Sequence, residues 1–403
     1  MSVTLSVVPG GVTAPRGFRA AGLHCGIKAS GKPDLALVAC DSVATAAGLF
    51  TTNLAKAAPV LVSTAHLQAA GRARAVVTNS GCANACTGPQ GLADAREMTA
   101  LTAAALGCAP GDVLVASTGV IGVNLKMAAL RGGIPQAAAA LSSDGGGAAA
   151  DAIMTTDPFP KSAAVEVTTP AGTFRVGGMA KGSGMIEPRM ATMLGYLTTD
   201  AAVDPARLHR VLTEASRYTF NAITVDGEPS TNDCVFALAS GASGVVIDDA
   251  TEAALFAGFR AVAQELALGI VRGGEGATKL VRITASDAAS DADAWTAARA
   301  IANSLLVKTA IHGADPNWGR LVAAAGRSGA RFVLDRARVR IGALVLFADG
   351  RPFDDLAPQA AAYLGGTDLE IEVGLGTGGG CTATVWTCDL SKMYVQINAE
   401  YRT

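Results

Sequence analysis

Histidine is almost missing from this chain: four occur in 403 residues, at His24, His66, His209 and His312. A histidine-based triad or a His-rich metal site is thinly supplied, so acid–base chemistry has to draw on another group. The eight cysteines, Cys25, Cys40, Cys82, Cys86, Cys108, Cys234, Cys381 and Cys388, form no CxxC pair. None stands near a histidine at zinc-ligand spacing, and no metal is expected. Charge is sparse as well: 16% of residues carry one, the net charge is −2, and no long run has a single sign. That excludes the basic face on which non-specific nucleic-acid binding depends. No run reaches the roughly 18 consecutive apolar residues of a membrane-spanning helix. The opening MSVTLSVVPGGVTAPRGF lacks a basic stretch ahead of an apolar core, so it does not read as a secretory signal. The expectation is a cytoplasmic protein with reduced thiols and with neither nucleic acid nor membrane as a partner.

What is present is a chain of 50% hydrophobic residues with 47 glycines, long enough for two domains. Short β-branched runs predict strands over Asp34–Ala39, Ala75–Thr78, Asp112–Ala116, Ala164–Thr168, Thr173–Val176 and Cys234–Ala239. Between and beyond them, Leu92–Leu106, Lys126–Leu141, Pro205–Thr219 and Thr251–Leu268 carry helical patterns. This alternation predicts a layered α/β architecture. The small, polar segment Ser286–Ala294 begins a further helix through about Leu306. The domain boundary is placed there, giving a large domain over 1–285 and a smaller α/β domain over 286–403. The smaller one is expected to be strand-rich, with strands at Arg331–Leu334, Arg338–Leu346, Glu370–Val373 and Thr382–Thr387.

The segment that stands out is Lys181-Gly-Ser-Gly-Met-Ile-Glu-Pro-Arg-Met-Ala-Thr-Met-Leu194. Glycines flank a lysine, and a proline then leads into a small residue and a threonine. Read alone, Ala191-Thr192 could simply open a helix with Thr192 as its N-cap. Ser117-Thr118-Gly119 follows a predicted strand, where a hydroxyl and a glycine N–H can aim two donors at a developing oxyanion. An ordinary strand-to-helix turn has the same pattern. Gly374-Leu-Gly-Thr-Gly-Gly-Gly380 suggests a phosphate loop but has no following lysine, and reads as a hairpin connection between two strands. Asp226, Glu228 and Asp233 could suggest a metal, yet a turn in which Ser230 and Asn232 satisfy backbone groups explains them. Cys82 and Cys86, flanking Asn84, read equally as small core fillers or as lining of a site.

Several other segments stand in a fixed order: Asn79-Ser-Gly-Cys-Ala-Asn-Ala85, Ser117-Thr-Gly-Val-Ile-Gly122 and Thr155-Thr-Asp157. Asp226-Gly-Glu-Pro-Ser-Thr-Asn-Asp233, Arg272-Gly-Gly-Glu-Gly-Ala-Thr-Lys279, Gly313-Ala-Asp-Pro-Asn-Trp-Gly-Arg320 and the terminal Tyr394-Val-Gln-Ile-Asn-Ala-Glu-Tyr-Arg-Thr403 follow. Together they closely resemble the ornithine acetyltransferase (glutamate N-acetyltransferase) family of arginine biosynthesis, from near Gly10 to the end of the chain. The resemblance implies a sandwich of two β-sheets between helices, with a smaller C-terminal α/β domain.

It also implies self-cleavage between Ala191 and Thr192, giving chains 1–191 and 192–403 that stay together as an α2β2 assembly. A threonine hydroxyl can attack its preceding carbonyl, and the ester formed by the N→O shift then hydrolyses. The freed α-amine, with an ordinary pKa of roughly 7.7–8.0, can serve as general base beside the hydroxyl. This suits a chain short of histidine. By the same resemblance Thr192 is the nucleophile, Thr118 and Gly119 form the oxyanion hole, and Thr155, Lys181, Thr192, Glu275, Asn398 and Thr403 contact substrate. Lys181 suits a carboxylate, and Glu275 suits an ammonium. The reaction implied is ping-pong acetyl transfer from N-acetylornithine to glutamate, without a cofactor. Acetyl-CoA as a second donor stays open, because monofunctional and bifunctional members share these motifs. One departure is charge before the scission site: Glu187 stands where the family usually has a small residue or histidine. Arg189 stands where it often has Asn or Ser.

Overall fold

The structure, a computed structural model, describes residues 3–187 and 193–400. Ala191, Thr192, Arg189 and Thr403 therefore lie outside the described residues. The chain divides into two compact units, Met1–Asn221 with Pro229–Ile270, and Ala222–Glu228 with Val271–Arg402. The division precedes the boundary expected at 286. The reason is the strand Leu280–Ala288, which pairs on both sides with strands of the second unit.

The strands of the first unit are β1 (Thr4–Val7), β2 (Phe18–Leu23), β3 (Leu35–Phe50), β4 (Arg72–Cys82), β5 (Val113–Val120), β6 (Lys161–Thr169), β7 (Gly172–Lys181), β8 (Leu194–Thr199) and β9 (Cys234–Ala239). Its helices are α1 (Ala58–Ala70), α2 (Gly88–Leu106), α3 (Met127–Ala139), α4 (Gly146–Ala152), α5 (Pro205–Arg217) and α6 (Glu252–Arg272). The strand order is β1-β6-β7-β8-β9-β3-β4-β5, with β2 attached to β3. β3 joins two halves. Its first residues pair with β2 and β4, whereas Thr45–Phe50 pair with β9, and the register shifts between Ala39 and Ala44. At that shift Asp41, Ser42 and Val43 are exposed, so the strand bends where its chain meets water.

The two halves share one core. Val38, Val76, Leu114 and Ala116 of one half cluster with Met179, Tyr196, Phe236 and Leu238 of the other. Thr78 and Tyr196 close this layer with a buried hydroxyl–hydroxyl hydrogen bond of 2.7 Å. The opposite faces meet helices. Leu37, Val77 and Val115 pack with Met98 of α2 and with Leu130 and Ile134 of α3. A Cβ on Gly258 of α6 would come within 2.9 Å of Val167 and Val176. Strands buried on both faces explain why the sequence shows apolar runs rather than strict alternation. The layering is the two-sheet sandwich between helices that the resemblance implies. α6 is long and apolar enough by composition to cross a membrane, yet 56% of its most apolar window is buried inside the protein.

The second unit holds β10 (Leu280–Ala288), β11 (Arg338–Ile341), β12 (Leu344–Ala348), β13 (Arg351–Pro352), β14 (Asp368–Gly374) and β15 (Cys381–Cys388). Its helices are α7 (Asp291–Ala302), α8 (Leu305–His312), α9 (Trp318–Gly326), α10 (Ala357–Leu364) and α11 (Lys392–Glu400). The sheet order is β13-β12-β11-β14-β10-β15. Three expectations change here. The helix from Ser286 breaks at Asn303, because Ser304 caps a new helix by accepting from Val307 N–H. Arg338–Leu346 is a hairpin, β11 turning into β12. Arg331–Leu334 is no strand: Val333 N–H is taken by Leu375 O, and a 3₁₀ turn follows at Leu334–Arg336.

The glycine-rich loop is also not a hairpin. β14 and β15 lie on opposite sides of β10, so the loop crosses over the end of that strand. Leu375 N–H and Thr377 N–H donate to Ser286 O and Asp287 O. A Cβ on Gly376, at φ +71°, would meet Val333 O at 2.5 Å. The glycines serve close backbone crossing.

Candidate active site

The parallel strands β4 and β5 end side by side, with Ser80 opposite Thr118 and Gly81 opposite Gly119. Strand ends of this kind leave carbonyls that need donors. Side-chain amides supply them. Asn79 Nδ2 donates to Cys82 O at 2.9 Å while its Oδ1 accepts from Ser117 Oγ at 2.6 Å. Asn232 Nδ2 donates to Ala83 O and Ser117 O, at 2.6 and 2.8 Å. Gly119 adopts φ +130°, and a Cβ there would stand 2.4 Å from the Gly81 carbonyl carbon. Glycine is required at this position by both conformation and space.

Thr118 sits in this fixed turn, 9% exposed, and its Oγ1 accepts from Lys181 Nζ at 3.1 Å. Accepting from an ammonium leaves the hydroxyl proton as the donor. A hydroxyl donor and the backbone of Gly119 are thus held at one strand end, as an oxyanion hole requires.

Lys181, 8% exposed, closes β7 and belongs to a lysine-rich corner. Asp157 lies at its centre. The Asp157 carboxylate accepts from Lys161 Nζ at 2.6 Å, Gly182 N–H at 2.8 Å and Thr155 N–H at 3.1 Å. Lys181 Nζ stands 4.0 Å from it. Burial alone would raise this carboxyl, but Lys181, Lys161 and the Gly182 N–H hold it down at about 2. Lys28 donates to Met154 O and Pro33 O, both at 2.7 Å. Burial, with Lys181 adding to it, lowers the Lys28 ammonium to about 8 against the pull of Asp34. Three lysines thus gather around Asp157, one of them on the Thr118 hydroxyl, a place suited to an anionic group. Thr155 is tied to the same corner through its backbone.

Of the residues expected in the site, the first unit brings together Thr118, Gly119, Thr155 and Lys181. The second unit holds Glu275 and Asn398. Glu275, 7% exposed, accepts from Asn398 Nδ2 at 2.7 Å across 123 residues of sequence. The same Nδ2 donates to Tyr394 O at 3.0 Å, and Tyr394 Oη donates to Asp226 Oδ2 at 3.2 Å. Burial, then Asp226, Glu275 and Glu228, push the Tyr394 phenol up. A buried carboxylate among further acids fits a cationic ligand group.

Asp157, Lys161 and Lys28 were not singled out from the sequence. Thr155-Thr-Asp157 was the available signal for the first of them. Glu187 is 3% exposed, so this departure from the family pattern is a buried side chain rather than a surface one. Cys82 is a buried filler donating to Val123 O, and Cys86 is exposed. All eight cysteines are free. Ser230 Oγ accepts from Asn232 N–H at 3.1 Å, the turn contact expected there. Among the described residues no cluster of three or more His, Cys, Asp or Glu side chains could hold a metal ion.

Comparison with known proteins gives the chain its family. The chain is 50% identical to the arginine biosynthesis bifunctional protein ArgJ of Synechococcus, over 421 aligned positions covering all of both chains. It is 51% identical to the ArgJ protein of Symbiobacterium thermophilum, covering 98% of this chain and 99% of that one. A solved structure of ornithine acetyltransferase from Mycobacterium tuberculosis, in complex with ornithine, is 46% identical. It covers 47% of this chain and 100% of that one, with a TM-score of 0.43. The sequence profile of the ArgJ family matches residues 19–403, so the strand-end turn at Thr118, the lysine corner and the Glu275–Asn398 pair are features of a chain that belongs to the ArgJ family.

Proposed function

We propose that the chain is a self-cleaving acetyltransferase of arginine biosynthesis, moving the acetyl group of N-acetylornithine to glutamate through an acetyl-Thr192 intermediate. The observation that carries this reading is the Thr118–Gly119 turn, locked at two parallel strand ends with Lys181 on the threonine hydroxyl. Whole-length identity of about half to ArgJ proteins supports it. Cleavage between Ala191 and Thr192 yields chains 1–191 and 192–403 and frees the Thr192 amine. That amine takes the Oγ proton as Oγ attacks the acetyl carbonyl, while Thr118 and Gly119 stabilise the oxyanion. Ornithine leaves, and glutamate's amine then removes the acetyl group.

The lysine corner suits the substrate carboxylate and Glu275 an ammonium, with Thr155, Asn398 and Thr403 completing the contacts. Neither half-reaction calls for a metal or a nucleotide cofactor. The relatives are named bifunctional, which supports acetyl-CoA as a second acetyl donor. Free thiols throughout suit a cytoplasmic enzyme, and we place it in an α2β2 assembly.

The test is an assay of N-acetylornithine consumption with and without glutamate, for wild type and Thr192→Ala. Turnover that requires glutamate, and an uncut, folded, inactive Thr192→Ala chain, are expected. Release of acetate at the same rate without glutamate would make the protein a hydrolase instead.

A further inference from the structure

Asp233 is a buried carboxyl that the reaction as described does not use. The residue is 3% exposed, and its Oδ2 has no hydrogen-bond partner among the described residues. The other buried side-chain atoms in that condition belong to Arg74, Ser216 and Gln264, so this is the one acid among them. Ser230 bonds to this carboxyl and Lys181 attracts it, yet Oδ2 itself has no donor, and a buried carboxyl oxygen in that state is costly.

Its two neighbours in sequence fix where it stands. Asn232, just before it, donates to Ser117 O and Ala83 O and so belongs to the turn that carries Thr118. Cys234, just after it, donates its N–H to Met193 O at 3.0 Å and is in register with Leu194. Met193 is the residue that follows Thr192. Asp233 therefore lies between the turn that carries Thr118 and Met193, which leads into β8 and directly follows Thr192 in sequence.

We propose that Asp233 is the positioning carboxyl for the α-amine of Thr192, receiving that amine once the chain is cut. The inference rests on Thr192 being both scission residue and nucleophile. Before scission the Thr192 nitrogen is an amide and offers no cation. Burial then pushes the Asp233 carboxyl well above the ordinary carboxylate range, which favours its neutral form, against the pull of Ser230 and Lys181. The Cys234 thiol beside it is pushed up by burial too, so Lys181 is the charged group that faces it. Lys181 is itself engaged with Thr118 and Asp157.

Scission changes this. The N→O shift breaks the Ala191 carbonyl–nitrogen bond and leaves the nitrogen a primary amine; water then cleaves the ester, Oγ regains its proton, Ala191 leaves as a carboxylate and its acid proton goes to solvent. The Asp233 proton passes to that amine, giving an ammonium–carboxylate pair. In transfer the amine, deprotonated, accepts the Oγ proton as the Oγ–acetyl bond forms. The resulting ammonium faces the Asp233 carboxylate, which stays ionised. As the acetyl–nitrogen bond of N-acetylornithine breaks, the ammonium returns the proton to the departing ornithine nitrogen.

The sign of the pH effect follows. A carboxylate beside an amine raises the amine's pKa, by roughly 1–3 units for a close pair. Asp233→Asn keeps the shape and removes the charge. In the cut Asn variant the acid limb of kcat/KM should move to lower pH by about 1–3 units, with kcat falling about tenfold or more. Asp233→Glu keeps a carboxylate and should restore the limb toward its wild-type position. A cut, folded Asp233→Asn enzyme with the wild-type limb and kcat would overturn the inference.

A measurement on wild type keeps the question decidable if the Asn variant does not fold. With ¹⁵N-labelled threonine, the Thr192 amine should titrate above the ordinary roughly 7.7–8.0 of an α-amine. Titration within or below that range would overturn the inference while leaving Thr192 as nucleophile. Wild type that is active without a fragment beginning at Thr192 would remove both the functional reading and this inference.

Discussion

At the scale of single residues, Thr118 and Asp157 carry separable consequences. Thr118 offers a hydroxyl donor because Lys181 occupies its acceptor side. Thr118→Ala removes the donor without disturbing the Gly119 turn, so kcat should fall about 10²–10³-fold, the effect of losing one oxyanion donor. Steady-state kinetics on the cut variant check this, and an unchanged kcat would take Thr118 out of the oxyanion hole. Asp157 concerns stability and the electrostatics of the corner. Its folded-state pKa of about 2 lies below the ordinary carboxylate value. Its contribution is therefore present above about pH 4 and is lost as pH falls through 4 toward 2. Asp157→Asn leaves Lys161 and Lys181 without their buried counter-charge, a change that should destabilise by about 3 kcal/mol at pH 7. Denaturant midpoints should show that loss, and a flatter decline than wild type between pH 4 and 2.

At the scale of elements, the decisive feature is the paired end of β4 and β5. Gly119→Ala would place a methyl 2.4 Å from the Gly81 carbonyl carbon, at a φ that alanine rarely adopts. The strand ends must separate, so the variant should lose both stability and transfer, measurable as a lower Tm with kcat reduced at least about tenfold. A variant as stable and active as wild type would show that the turn tolerates movement.

The sequence made some of this legible and hid the rest for physical reasons. Cys234–Ala239 was readable as a strand because six apolar residues run unbroken, and the Thr-Gly pair marked the turn after β5. Of β3 the sequence shows only the first five residues, because its exposed Asp41-Ser-Val43 interrupts the apolar run at the bend. β8 escaped notice because its Leu-Gly-Tyr-Leu-Thr-Thr run is short and polar at one end, although every residue in it is buried. Arg331–Leu334 looked like a strand through Phe332 and Val333, yet its backbone is claimed by the loop after β14. Asp157 and Lys161 pair with each other in the interior, and local sequence does not distinguish a buried ion pair from solvated surface charges. The Glu275–Asn398 contact spans too much sequence for any local pattern to announce.

At the scale of the whole molecule, the position of the scission bond in the sheet governs what cleavage can do. Cutting before Thr192 separates β1–β7 from β8 and β9, yet β8 and β9 lie between β7 and β3 in the order of the sheet. β7 pairs with β8 from Val176 to Lys181, and β9 pairs with β3 from Thr45 to Phe50. The fragments cannot part without opening the centre of a sheet whose core includes Tyr196 and Phe236. Two bands on a denaturing gel and one co-eluting species on size exclusion are expected. Fragments that separate under native conditions would contradict this topology.

The central claim is that one threonine cuts the chain and then carries the acetyl group. Mass spectrometry of wild type incubated with N-acetylornithine and no glutamate tests it directly. An acetyl group on the peptide beginning with Thr192, discharged when glutamate is added, is expected. An acetyl adduct only elsewhere, or full transfer activity in Thr192→Ala, would contradict it.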